Sequence, residues 1–302
     1  MKKVVIAGGT GFLGNILCQH FVNLNFEVVI LTRKKQIPTP NILYAKWDGE
    51  TRGDWCQALE GAEVLINLCG KSVDCRYTEE NKQLIYDTRL KSTKVLGQAI
   101  SACTDPPKTW MNASSATIYR HAEDREMDEE TGELGTGFSV DVCQKWEETF
   151  FAAKVPETRQ IALRIAIVLG KNGGALQPLK RLSLFGLGGI QGNGNQYFSW
   201  IHEDDFTAAM QFLLQNESLH GIFNLSAPHP VTNEVFMRTL RKKLKVPFGI
   251  PTPKFLLEIG ARMIRTETEL ILKSRRVVPR KLRAAGFAFQ YSQLDDGLGD
   301  LI

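Results

Sequence analysis

The feature that most constrains the fold is the stretch "VVIAGGTGFLGNIL", where Gly8, Gly11 and Gly14 follow a β-branched run and open a helical one. Glycines in a strand, loop, helix setting meet three physical needs: a tight turn, backbone approach to a pyrophosphate, and close packing of helix on strand. The spacing predicts that Gly8, Thr10, Gly11, Phe12, Leu13 and Gly14 form a dinucleotide-binding loop at the mouth of the first helix.

The chain beyond it alternates in the same way. Apolar, β-branched runs of strand length lie at 2–8, 26–33, 41–47, 63–70, 109–116 and 159–170, with helical patterns at 12–23, 56–61, 78–103 and around "SVDVCQKWEE" (139–148). Several strands are apolar on consecutive positions, as strands buried on both faces are. Strand, helix, strand repeated this often predicts an α/β fold: a Rossmann-like doubly wound parallel sheet. After Gly170 the texture changes to glycine-rich loops around one short helix. A helix at 200–216, a strand at 221–227, helices at 231–244 and 253–264, and a final basic helix ending near Gly286 follow. The expected division is a dinucleotide-binding domain at 1–228, with a substrate-wall insertion at about 171–199, and a smaller, mainly helical C-terminal substrate lobe at 229–302.

At 302 residues and 43% hydrophobic content the chain can bury a sizeable core. Its six cysteines show no CxxC pair and no metal-ligand spacing, so neither a disulfide framework nor a metal site is expected. Glycines end the first apolar run too early for a secretory leader, and no stretch approaches the roughly 18 to 20 apolar residues of a membrane span. These features point to a soluble cytoplasmic protein, monomer or homodimer. From His229 onward 14 Lys+Arg face 7 Asp+Glu, although the whole chain carries only +4. Its charges are spaced among apolar residues like the surface positions of packed helices, so a solvated face is the first reading of that basic part, and attraction of a small anionic substrate, nucleic acid or a membrane surface is the competing one. With no aromatic-interleaved basic patch, nucleic acid is not an expected partner.

The end of the second strand selects the cofactor. A ribose 2′-hydroxyl calls for Asp or Glu there, whereas a 2′-phosphate calls for cations. The chain reads "LTRKK", offering the Thr32 hydroxyl, the Arg33 fork and the Lys34 point charge, so NADP(H) is expected over NAD(H).

Taken together, "GGTGFLG", "NLCG" (67–70), "SSATIY" (114–119) and "WIHEDDFTAAM" resemble the extended short-chain dehydrogenase/reductase superfamily over essentially the whole chain. "RYTEENKQLIYDTRLKST", "KWEE", "LRIAIVLGKNGGAL" and "VVPRKLRAAGFAFQYSQL" are similar to a narrower epimerase-like branch with its own short C-terminal domain. The resemblance implies NADP(H) binding, with Leu68, Cys69 and Gly70 under the cofactor, Leu84 and Arg89 lining the cleft, and Arg164 pointing at the same region. A structural ion pair is the competing account of Arg89 and Arg164.

In that superfamily a Ser polarises substrate, a Tyr moves the proton, and a Lys four residues on favours the phenolate. Ser115 matches the serine. The tyrosine and lysine should fall within "SVDVCQKWEE", but the paired positions read Ser139 with Cys143, Val140 with Gln144, or Asp141 with Lys145. Losing a positioned proton donor costs roughly 3 to 5 kcal/mol of barrier. Tyr119, four residues past Ser115, is the substitute carried forward, ahead of the Cys143 thiol. Asp141 and Glu147 read as first-turn charges, Ser139 as a helix cap, and His202 with Asp204 and Asp205 as a structural helix start. Gln196 and Tyr197 stand where sugar-nucleotide epimerases often carry an Arg for the substrate diphosphate, with Lys180 and Arg181 nearby. Two functions follow: an NADP(H)-dependent oxidoreductase or epimerase-like enzyme on a small carbonyl, hydroxyl or sugar-type substrate, or a non-catalytic NADP(H)-binding sensor or scaffold.

Overall fold

The computed structural model of the chain describes residues 1–34, 36–263, 267 and 269–302. Lys35 of "LTRKK" and the last position of the helix expected at 253–264 lie outside the described residues. In chain order the strands are β1 (Lys3–Ala7), β2 (Glu27–Thr32), β3 (Ile42–Lys46), β4 (Val64–Asn67), β5 (Thr109–Ser115), β6 (Arg159–Ile165), β7 (Ile167–Gly170), β8 (Gly173–Gly174), β9 (Tyr197–Phe198), β10 (Trp200–His202), β11 (Gly221–Leu225) and β12 (Val231–Thr232). The α-helices are α1 (Phe12–Asn23), α2 (Glu79–Ile100), α3 (Phe138–Phe151), α4 (Leu176–Leu184), α5 (Glu203–Gln215), α6 (Asn233–Lys243), α7 (Lys254–Met263), α8 (Glu269–Leu272), α9 (Arg280–Ala284) and α10 (Leu294–Leu301).

The main sheet has the order β11-β6-β5-β4-β1-β2-β3 and is parallel throughout. Alternate side chains of each strand feed two cores. Val4, Ile6, Val28 and Ile30 pack with Leu17 and Phe21 of α1 and with Phe206 and Met210 of α5. Val5, Ala7, Val29 and Leu31 pack on the other face with Val95 and Leu96 of α2 and Phe150 of α3. Burial on both faces is why these strands read as continuous apolar runs. Chain order reverses between β1 and β4, which opens a crevice at their C-terminal ends, the place where sheets of this kind take ligands. At the opposite edge Arg159 donates to the carbonyls of Leu213, Leu214, Asn216 and Leu219, closing the end of α5.

Several expected elements differ in detail. The run 159–170 is two strands, because the chain leaves the main sheet at Ala166 and β7 pairs with β10 and β8 instead. The helix expected from residue 200 begins at Glu203, after β10, and 56–61 belongs largely to a 3-10 turn (Asp54–Leu59). The final basic helix is broken into α8 and α9 by an extended stretch in which Val277 bridges Met127. Two adjacent β-branched valines followed by Pro279 explain the break. Among the described residues, no helix is long and apolar enough to cross a membrane.

Candidate functional site

The glycine loop joins β1 to α1 at the crevice. Gly8 has φ +78°, and a Cβ there would lie 3.0 Å from the Cys69 amide nitrogen, so this turn requires glycine. At Gly14 a Cβ would fall 2.4 Å from the Gly9 backbone, which lets helix and strand close on each other. Gly11 caps α1 with no side-chain hydrogen bond, and no acidic residue occupies the first turn. A Cβ on Gly11 would meet nothing nearer than the Gly8 carbonyl at 4.0 Å. The start of α1 is thus uncapped, with open space beside the exposed Gly11, and a helix N-terminus of this kind offers amide donors and a positive dipole end to an anion. Phe12 acts structurally, its ring filling the space over Gly170, Gly173 and Gly174 and pinning α1 to the β7–β8 turn. Leu13 packs against the core beneath.

The ends of β2 and β4 extend this floor. Thr32 is buried and its Oγ1 accepts from the Lys34 amide at 3.3 Å, while Arg33 is exposed beside Cys69. Asn67 fixes the β4 turn, donating to Asn112 Oδ1 at 2.7 Å and Thr93 Oγ1 at 3.1 Å and accepting from the Cys69 amide at 3.1 Å. Burial pushes the Cys69 thiol up to about 12 against the pull of Arg33 and Arg89. Arg89, reaching from α2, lies over Gly70, where a Cβ would come 2.8 Å from its Cζ. It donates to the carbonyls of Lys71 and Ile85 and stacks on Trp146 at 5.1 Å. Among the described residues it has no carboxylate partner, and burial lowers its pKa, so the ion pair weighed for Arg89 is not formed. Leu84, one turn back on α2, is 41% exposed.

Arg164 behaves otherwise. Its fork grips Glu147 at 2.9 and 2.8 Å, and its third nitrogen donates to Tyr119 Oη at 2.9 Å, all within the protein. Burial opposes its charge, but Glu147 and Tyr119 outweigh that and raise its pKa. Ser114 Oγ adds a bond to Glu147 at 2.6 Å. The cofactor role expected of Arg164 thus gives way to a structural ion pair, and Glu147 is its buried partner rather than a first-turn charge. Tyr119 is only 1% exposed, and its hydroxyl donates to Asn224 Oδ1 at 2.9 Å. Burial raises its pKa further. A phenol so enclosed has no proton to offer a ligand, so Tyr119 does not fill the place proposed for it. Ser115 stands free by comparison, half-buried at the tip of β5 with Oγ accepting from the Thr117 amide at 3.2 Å.

On α3 the inward face carries Ser139 and Cys143, both buried, whereas Asp141 and Lys145 pair with each other at 2.8 Å on the outside. Val140 is buried among apolar residues. The helix begins after Gly137, with φ +98°, and not at Ser139, whose hydroxyl instead donates to Glu269 Oε2 at 3.0 Å. Val142, Trp146 and Phe150 form the buried stripe expected of them. His202 is the N-cap of α5, its Nδ1 accepting from the Asp204 amide at 3.1 Å, and Asp205 accepts from the Gln290 and Tyr291 amides. Both are structural, in line with expectation. Of the expected substrate wall, Tyr197 stacks under Arg276 at 4.6 Å and donates its amide to Ser274.

The sequence reasoning missed Tyr77, Glu267, Glu269, Lys273 and Arg275. Lys273 Nζ donates to the Thr117 carbonyl at 2.8 Å and Arg275 Nε to Thr117 Oγ1 at 3.0 Å, so the C-terminal segment closes directly on the tip of β5. The only available signal was the basic run "KSRR", which reads equally well as a solvated surface.

With this geometry in view, comparison with known proteins is direct. The NAD dependent epimerase/dehydratase family model matches residues 4–226, and a domain of unknown function, DUF1731, matches residues 252–301. An epimerase family protein of Staphylococcus haemolyticus (strain JCSC1435) is 33% identical over all of this chain and 99% of its own, and one of Staphylococcus aureus (strain NCTC 8325 / PS 47) is 33% identical with the same coverage. Among solved structures, human epimerase family protein SDR39U1 (isoform 2) with NADPH superposes with a TM-score of 0.87 at 28% identity, over 99% of this chain and 98% of that one. A nucleoside-diphosphate sugar epimerase from Corynebacterium glutamicum gives 0.78 at 28% identity, over 98% of this chain and 57% of that one. The chain belongs to the NAD dependent epimerase/dehydratase family.

Proposed function

We propose that the protein binds NADP(H) in the crevice between β1 and β4 and acts as an oxidoreductase or epimerase-like enzyme on a small carbonyl, hydroxyl or sugar-type substrate. The observation that carries this is the uncapped start of α1 facing open space at Gly11, with Thr32 and Arg33 at the end of β2. The α1 amides hold the pyrophosphate, and Thr32, Arg33 and Lys34 hold the 2′-phosphate, with Arg89 above Gly70 supplying a further cation. What the bound dinucleotide supplies is hydride chemistry. Ser115 Oγ polarises the substrate oxygen at the tip of β5. The human relative's NADPH supports the choice of dinucleotide. We keep the division at residue 228 as part of this proposal, the C-terminal part forming the substrate lobe.

Fluorescence titration with NADPH and NADH tests the reading. NADPH should bind at least about tenfold more tightly, and Arg33→Ala should remove most of that preference. Equal affinities in the unmodified protein would overturn it.

A second reading, an NADP(H)-binding sensor without turnover, is favoured by the enclosure of Tyr119 and by Ser139 and Cys143 on the inner face of α3. Incubation with stereospecifically deuterated NADPH and a panel of carbonyl compounds separates the two: label lost to any compound supports the enzyme, and label retained throughout supports the sensor.

A further inference from the structure

Glu267 and residues 269–275 supply groups at the C-terminal end of the sheet that α3 lacks. Tyr77, from the loop before α2, places its hydroxyl 3.5 Å from Ser139 Oγ, which donates to Glu269 at 3.0 Å. The Tyr77 amide donates to Glu267 Oε1 at 2.8 Å, so the same segment holds the loop in place. Among the described residues, Lys273 makes one hydrogen bond, to a main-chain carbonyl, and has Glu269 no nearer than 3.9 Å, while its side chain is only 9% exposed. An ammonium has three N–H groups to satisfy, and burying one this poorly paired is costly unless something else meets it. Burial, with Arg275 alongside, lowers its pKa, the response of a cation short of partners.

The position of this cluster tells what it meets. Lys273 sits at the Thr117 carbonyl, two residues past Ser115 at the tip of β5, and Arg89 lies over Gly70 beyond β4 and stacks on Trp146 of α3, so cations stand past the ends of both β4 and β5. A dinucleotide with its pyrophosphate on α1 and its adenosine phosphate at the end of β2 must send its other half across β4 toward β5. We infer that Tyr77 and Lys273 form a polar subsite for the nicotinamide riboside half of the dinucleotide, two segments outside α3 replacing what its inner face does not offer. Lys273 Nζ meets the ribose hydroxyls, and the Tyr77 hydroxyl lies beside them, facing the oxygen of a substrate. This rests on the cofactor reading above.

The test needs no substrate. NADPH and 2′,5′-ADP, which keeps the adenosine phosphates and lacks the nicotinamide, are titrated against the full chain and its variants. Lys273→Ala should weaken NADPH about tenfold and Tyr77→Phe about threefold, both leaving 2′,5′-ADP unchanged, and Lys273→Arg should restore part of the loss. Unchanged 2′,5′-ADP binding also reports that each variant is folded. NADPH affinity unaffected by Lys273→Ala, or both ligands weakened alike, would overturn the subsite. Arg33→Ala should weaken both ligands; if it weakens neither, the cofactor reading itself fails, independently of Lys273.

Discussion

Cys143 shows how one residue can look catalytic and be inert. Arg89, Lys273 and Arg164 all act to lower its pKa, yet burial dominates and pushes the thiol up to about 12. A neutral thiol is a poor nucleophile, so iodoacetamide at pH 8 should modify the half-buried Cys56 and Cys75 well before Cys143. Peptide mapping by mass spectrometry checks this, and early modification of Cys143 would contradict it. The sign for stability follows from the same shift. Because the folded-state pKa lies above the unfolded one, this contribution is intact below about pH 9 and is lost as pH rises toward 12, so Cys143→Ala should flatten the alkaline limb of the stability curve. At this scale the glycine loop was legible because each glycine answers a backbone demand fixed by local spacing. Lys273 was not, because its partner Thr117 is 156 positions away and a lysine beside two arginines carries no local sign of burial.

Helix α3 illustrates what periodicity reveals and what it hides. Val142, Trp146 and Phe150 were readable as a buried stripe, since apolar residues four apart share a helix face. Glu147 lies beside that stripe and was readable only as a surface charge. Its buried ion pair with Arg164 ties α3 to β6, while Ser114 and Tyr119 bring in the end of β5 and the turn after it. Removing one member of such a pair leaves the other charge buried, so Glu147→Ala should cost about 3 to 5 kcal/mol in chemical denaturation. Tyr119→Phe removes a hydroxyl that serves Asn224 and Arg164 and should cost about 1 to 2 kcal/mol. It should leave NADPH affinity unchanged; a large loss of affinity would return Tyr119 to the binding site. The broken basic helix makes the complementary point. Its charges alternate with apolar residues in a way that fits a helix, which hides the weight of Val277, Val278 and Pro279 against one, and contact with Met127 and Ser199 then holds the extended form.

Over the whole molecule, the parallel sheet follows from strands that are apolar on both faces, and the crevice follows from the reversal between β1 and β4. How the C-terminal segment closes on that framework is written in side-chain to main-chain bonds, which leave little trace in a sequence. Asp205, 1% exposed, holds two of them: one carboxylate oxygen accepts from the Gln290 amide at 2.8 Å and the other from the Tyr291 amide at 2.9 Å. Tyr291 then stacks on His202 at 3.8 Å, and Asp300 of α10 comes 3.4 Å from His202 Nε2. The aspartate thus docks the end of the chain onto the start of α5. Asparagine has one oxygen and would aim an NH2 group at the second amide, so Asp205→Asn loses one bond and creates a donor facing a donor. Hydrogen bonds to a charged group contribute about 1.5 to 3 kcal/mol each, so Asp205→Asn should destabilise by about 2 to 4 kcal/mol. The loss should be local. Lys273 is held from the other side, through Ser274 bonded to Ala122 and Tyr197 and through Ser199 bonded to Arg275. Amide hydrogen exchange should therefore quicken across 287–302 while β1, β4 and β5 keep their protection, and NADPH affinity should change less than in Lys273→Ala. Exchange that quickens equally in the sheet and the C-terminal segment would mean that the two unfold as one unit and that Asp205 is not the local clasp described.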